Sequence, residues 1–98
     1  MWILRTVGQP SETTFRLLAQ STKTIGRATG ADFIIDKSLV SRVHCRLQVN
    51  VSGDLDVTDI GSTNGTFVNG TRVTTARLVP GDRLKVGRVE LIALKDQE

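Results

Sequence analysis

The stretch Asp59-Ile60-Gly61-Ser62-Thr63-Asn64-Gly65-Thr66-Phe67-Val68-Asn69-Gly70 decides the reading of this chain. It holds two Asn-Gly pairs, Asn64-Gly65 and Asn69-Gly70, with the short β-favouring run Thr66-Phe67-Val68 between them. Asn-Gly is a strong hairpin signal, because glycine has no Cβ and asparagine tolerates left-handed backbone. The spacing predicts a reversal at Gly61–Gly65, a brief strand, and a second reversal at Asn69-Gly70. Ser62, Thr63 and Asn64 are expected together on the first tip, three short hydrogen-bonding side chains held at a sharp angle. A tip that polar is expected to recognise a ligand rather than merely connect strands.

Outward from this stretch the chain reads as β throughout. Val43, Cys45, Leu47, Val49 and Val51 alternate with His44, Arg46, Gln48, Asn50 and Ser52. That period of two predicts a strand over residues 43–52 with one buried apolar face and one wet face. Trp2–Val7, Lys23–Ile25, Phe33–Ile35 and Leu55–Thr58 read as further strands, the third of them buried. Thr66–Val68, Thr71–Val73, Arg77-Leu78, Arg83–Val86 and Val89–Leu94 follow. Glu12–Gln20 suits a helix or a strand, and Thr13-Thr14-Phe15 tips it to a strand. Turns are expected at Gly8–Ser11, Ser52–Asp54, Pro80–Asp82 and Gly87-Arg88. About ten or eleven short strands with frequent turns imply an all-β sandwich or barrel.

Ninety-eight residues suffice for one domain, so residues 1–98 are expected to form a single unit. Thirteen basic and ten acidic residues give a net charge of +3, below the basic excess of a dedicated duplex-DNA binder. The aromatic set is one Trp and three Phe, too few for a stacking platform, so direct nucleic-acid binding is not expected. The one cysteine, Cys45, cannot form a disulfide within the chain, which suggests a reducing, intracellular compartment. No signal peptide or membrane span is read, and no membrane partner is expected. The sequons at Asn50, Asn64 and Asn69 are accordingly read as turn and strand residues.

Enzymatic and metal chemistry find little support. One His and one Cys cannot close a zinc site. The strand alternation sends His44 and Cys45 to opposite faces, so no dyad is expected. Gly61–Thr66 lacks the lysine of a nucleotide-binding P-loop. No catalytic residue, cofactor or small-molecule substrate is therefore expected. Three polar loops remain: Gly26-Arg27, Ser41-Arg42-Val43-His44 and Ser62-Thr63-Asn64-Gly65. Gathered at one end of a sandwich, they would offer two guanidinium groups, hydroxyls, an amide and backbone N–H groups. That set suits a phosphate, because guanidinium forks give charge-assisted bidentate bonds and the neutral donors complete the shell.

Gly26-Arg27, Ser41-Arg42-x-His44, Thr63-Asn64-Gly65-Thr66 and Asn69-Gly70, in that order, resemble the forkhead-associated (FHA) domain over essentially the whole chain. The resemblance implies an eleven-stranded β-sandwich that binds phosphothreonine peptides through loops at one end. By position it implies phosphate contacts from Arg27, Ser41, Arg42 and Thr63, and a peptide-backbone contact from Asn64. Gly26, Gly65, Asn69 and Gly70 would shape loops, and His44 would buttress the Ser41 loop. Leu39 stands where some members carry a basic residue, so an acidic preference three residues after the phosphothreonine is not implied. The partner would be a phosphothreonine-containing protein. A narrower similarity joins Met1-Trp2-Ile3-Leu4, Phe15-Arg16-Leu17-Leu18, Ile25-Gly26-Arg27 and Ser41-Arg42-x-His44 to nibrin-like proteins, implying a nuclear, DNA-damage setting. The rival expectations are a non-catalytic sandwich scaffold and a basic nucleic-acid-binding module.

Overall fold

Alternating apolar side chains line the inside of two facing β-sheets in the computed structural model, which describes residues 1–96. Among the described residues eleven strands run in the order β1 (Trp2–Val7), β2 (Thr14–Leu17), β3 (Thr22–Gly26), β4 (Phe33–Ile34), β5 (Cys45–Val49), β6 (Leu55–Asp59), β7 (Thr66–Val68), β8 (Thr71–Val73), β9 (Thr75–Leu78), β10 (Arg83–Val86) and β11 (Val89–Lys95). One sheet has the order β2-β1-β11-β10-β7-β8 and the other β4-β3-β5-β6-β9. Every described pairing is antiparallel except β3 with β4.

The core lies between the sheets. Leu4, Leu17, Ile25, Leu47, Leu55, Val57, Leu84 and Leu91 have no solvent exposure. Side chains of the two inner faces meet there, as an aligned sandwich requires. At one pole, β1 begins and β11 ends, with Trp2 opposite Lys95. The Trp2 indole N–H donates to the Gly53 carbonyl at 2.8 Å and so ties in the β5–β6 turn. The loops after β3, before β5 and after β6 lie at the other pole. That pole carries the chemistry.

Several expectations need correction. The alternating run is a strand only over Cys45–Val49; Val43 and Val51 are 43% and 85% exposed. His44, expected on the wet face, is wholly buried. It precedes the strand, where loops cover it. Phe33–Ile35 is strand only at Phe33–Ile34, with Ile34 exposed and Ile35 buried beyond the strand end. The strand expected over Glu12–Gln20 is Thr14–Leu17; a turn from Leu18 to Ser21 ends it, with Gln20 in left-handed backbone. Gly61–Gly65 does not fold β6 back on itself. It carries the chain from the five-stranded sheet to the six-stranded one, because β7 pairs with β10 and β8. At Asn69-Gly70 the two-residue hairpin forms as expected. Val68 opposes Thr71, and both turn residues have positive φ, 50° and 83°.

Leu47 sits on β5, the central strand of its sheet, and is fully enclosed. Leu47→Ala is expected to lower unfolding free energy by about 2–5 kcal/mol. Urea titration followed by Trp2 fluorescence checks this.

Candidate functional site

The site begins with a close backbone approach. Gly26 ends β3 directly against the Arg42 carbonyl, and a Cβ there would overlap that oxygen. With no side chain in the way, Arg27 N–H donates to Ser41 O at 2.9 Å and Ala28 N–H to Arg42 O at 3.2 Å. The β3 end and the Ser41 loop are thereby joined. The Arg27 Nε–H donates to Val40 O at 3.0 Å. This bond aims the guanidinium and leaves both Nη groups without a protein partner among the described residues.

His44 forms the second joint. The Ser41 backbone N–H donates to His44 Nδ1 at 3.1 Å. Nδ1 is then the acceptor, which assigns the proton to Nε2, 2.8 Å from the Gly65 carbonyl. One neutral ring thus fastens the Ser41 loop to the Thr63 loop. Ser41 Oγ accepts the Thr63 N–H at 3.1 Å, which leaves the hydroxyl hydrogen free to point outward. Asn64 Nδ2 donates to Leu39 O at 2.9 Å.

Behind the tip, Asp59 organises the turn. Its carboxylate accepts from the Ser62 hydroxyl, from Thr66 Oγ1 at 2.7 Å and from Ser62 N–H at 3.2 Å. Ser62 Oγ in turn accepts the Gly65 N–H at 3.0 Å. Ser62 is therefore buried and structural, not presented on the tip with Thr63 and Asn64 as the sequence suggested. Burial pushes the Asp59 carboxyl up, but the Ser62 and Thr66 hydrogen bonds outweigh it and hold the group below the usual carboxylate range. Gly65 has φ +90°, and a Cβ would press on the Arg72 and Phe67 side chains. Asn64, its neighbour, keeps negative φ, so this Asn-Gly pair needs left-handed backbone only at the glycine.

These joints bring Arg27, Ser41, Thr63 and Asn64 around one open cleft of about 170 Å³, lined also by Ser38, Leu39 and Val40. Among the described residues no carboxylate lines it. Arg42 is exposed but stands outside the lining. Asn69 and Gly70 lie away from the cleft in their hairpin, where the Asn69 amide bonds Asp82 and the Arg83 N–H. Asp59, Lys37, Gly87 and Arg88 are positions behind or beside the cleft that sequence reasoning missed. Lys37 and Arg88 line a depression adjoining the cleft at Ser38 and Leu39. Gly87, at φ +59°, lets the β10–β11 turn touch the Leu39 backbone, where a Cβ would lie 2.9 Å from its carbonyl. The signal for Asp59 was present in general form: a short carboxylate leading into a glycine-bounded turn is a residue that bonds nearby backbone N–H groups.

The sequence pattern that defines the FHA domain family matches residues 23–87, and the chain belongs to that family. An oxoglutarate dehydrogenase inhibitor from Corynebacterium efficiens is 38% identical over 78 residues, 80% of this chain and 54% of that protein. The glycogen accumulation regulator GarA of Mycolicibacterium smegmatis is also 38% identical over 78 residues, 80% of this chain and 49% of GarA. The chain thus spans about half the length of these relatives. A domain solved in a structural and functional analysis of phosphothreonine-dependent FHA domain interactions superposes with TM-score 0.90 at 29% identity, covering 99% of this chain and 98% of its own. The two curated relatives are bacterial, and the narrower nibrin-like expectation, with its nuclear setting and DNA-damage role, finds no support in them.

A carboxyl held below its usual range stabilises the fold above the unfolded-state value and stops doing so as pH falls. The Asp59 contribution is therefore fully present above about pH 4 and is lost progressively below it. Asp59→Asn is expected to lower stability at pH 7 and to flatten the acid limb of a stability-against-pH profile measured by thermal unfolding.

Proposed function

We propose that this chain is a phosphothreonine-dependent peptide-binding module that recruits a phosphorylated protein partner. The observation that carries this reading is the cleft itself. A half-free guanidinium, an outward hydroxyl and an adaptable amide converge on it, and among the described residues no carboxylate opposes an anion there. In this reading the two Nη groups of Arg27 grip two phosphate oxygens, and the Ser41 hydroxyl and the Arg42 backbone N–H donate to the phosphate. The Thr63 hydroxyl completes the shell. Asn64 exchanges its bond to Leu39 O for one to the peptide backbone beside the phosphothreonine. Gly26, Gly65 and His44 hold the loops in register.

The magnitudes suffice. A phosphothreonine carries between about 1.5 and 2 negative charges at neutral pH. Each charge-assisted hydrogen bond contributes about 1.5–3 kcal/mol net. Micromolar binding requires about 8 kcal/mol, so several such bonds and a backbone contact reach it after the peptide is ordered. Preference over phosphoserine rests on one methyl group, about 0.8 kcal/mol by area and up to about 3 in a fitted pocket.

The state of the reactive groups favours binding over catalysis. Both His44 ring nitrogens are occupied by backbone partners. Burial first, and the Asp59 charge second, push the Cys45 thiol up to about 12, which leaves it a poor nucleophile. The names of the relatives, an inhibitor of a metabolic enzyme and a regulator of glycogen accumulation, favour a signalling role for residues 1–98 as one intracellular module.

Isothermal titration with matched phosphothreonine, phosphoserine, phosphotyrosine and unphosphorylated peptides tests the proposal. The phosphothreonine peptide is expected to bind, the phosphoserine peptide more weakly, and the other two not at all. Arg27→Ala is expected to cost roughly 100-fold or more in affinity with the fold retained, since two charge-assisted bonds are lost. An unchanged Kd for Arg27→Ala, or equal affinity for phosphotyrosine, overturns it. A steep salt dependence on DNA without phosphopeptide preference would favour the nucleic-acid alternative.

A further inference from the structure

Between the edge strands β2 and β4 the sandwich has an open flank, closed at the core by stacking of Phe15 on Phe33 with ring centroids 4.6 Å apart. Beside that stack lies a groove of about 260 Å³, larger than the cleft, walled by Pro10, Phe15, Ile34, Lys37 and Val89 among others. Ile34 is 45% exposed, an uncovered β-branched side chain in a concave wall. The depression that carries Lys37 and Arg88 shares Lys37 and Val89 with this groove, and Ser38 and Leu39 with the cleft. The three hollows therefore form one furrow that follows the chain from Ile34 to Ser41.

We infer that this furrow seats the partner segment flanking the phosphothreonine, and that the groove at its far end takes a bulky aliphatic side chain from that segment. The inference rests on the phosphopeptide reading of the cleft. Continuity selects the occupant: a chain anchored at Arg27 and Ser41 that continues along the furrow passes Leu39 and Lys37 before it reaches Ile34. The apolar part of the wall, Pro10, Phe15, Ile34, Ile35 and Val89, selects the side chain, with polar residues at its margin. Covering Ile34 and Phe15 with one leucine-sized group removes apolar surface from water on both partners. Arg88 lines only the middle of the route; Lys37 reaches the far groove as well, where Asp36 of opposite charge shares the wall with the apolar residues, so the aliphatic preference belongs to that end.

The test uses phosphothreonine peptides with about eight randomised residues on each side, read by fluorescence anisotropy beside a minimal phosphothreonine peptide. Selection of Leu, Ile or Met at one flanking position is expected. The Ile34→Asp variant is expected to weaken the selected peptide roughly tenfold, within the range for one buried aliphatic side chain. Its affinity for the minimal peptide should stay at the wild-type value, which also reports an intact fold. Ser11→Phe, which fills the groove from its exposed rim, is expected to do the same. Absence of any aliphatic selection, or equal loss for long and minimal peptides in both variants, overturns the inference while leaving the phosphopeptide reading in place. Failure of every phosphopeptide, with Arg27→Ala indistinguishable from wild type, overturns both.

Discussion

Everything at the binding pole depends on one buried imidazole. His44 has no solvent exposure, accepts at one nitrogen from the loop of β4–β5 and donates at the other to the loop of β6–β7. Both partners are backbone groups, so the ring sets the separation of the two main chains and not merely of their side chains. Leaving either group buried and unpaired would cost about 1–3 kcal/mol, enough to reopen a loop. Gly26 plays the complementary part on the third loop: the absent Cβ allows a contact that two hydrogen bonds then fasten.

In the proposed reading this arrangement separates holding from binding. Backbone groups and inward-turned side chains, Asp59 and Ser62 among them, do the holding. The outward groups of Arg27, Ser41 and Asn64 each make one structural bond and keep further capacity. Such single tethers reduce the freedom a side chain must give up when a ligand arrives, so more of the interaction energy remains as affinity.

Much of this was legible in the residues. The hairpin at Asn69-Gly70 could be read because two left-handed residues in succession are demanded by its turn and tolerated by few others. The Arg27, Ser41 and Thr63–Asn64 loops could be read as a set because no strand claimed their polar groups. What escaped was burial. Ser62 and Thr63 are chemically alike and adjacent, yet one turns to a carboxylate and the other to solvent. His44 fell on the wet side of a strict alternation, because period-two counting assumes that the strand has already begun. Gly87 and Arg88 read as an ordinary turn, since only the three-dimensional approach of β10–β11 to Leu39 gives them a place in the furrow. Ile60-Gly61 likewise gave no local sign that the chain changes sheets.

One feature of the opposite pole concerns the two ends of the sandwich. The amino group of Met1 donates to the Asp96 carbonyl, and Asp96 N–H donates back to Met1 O at 2.8 Å. Sequence joined to either end would thus depart from nearly the same point, a strand's length away from the cleft. The sandwich could be threaded into a host chain like a bead, its incoming and outgoing cords side by side, with its recognition face turned outward.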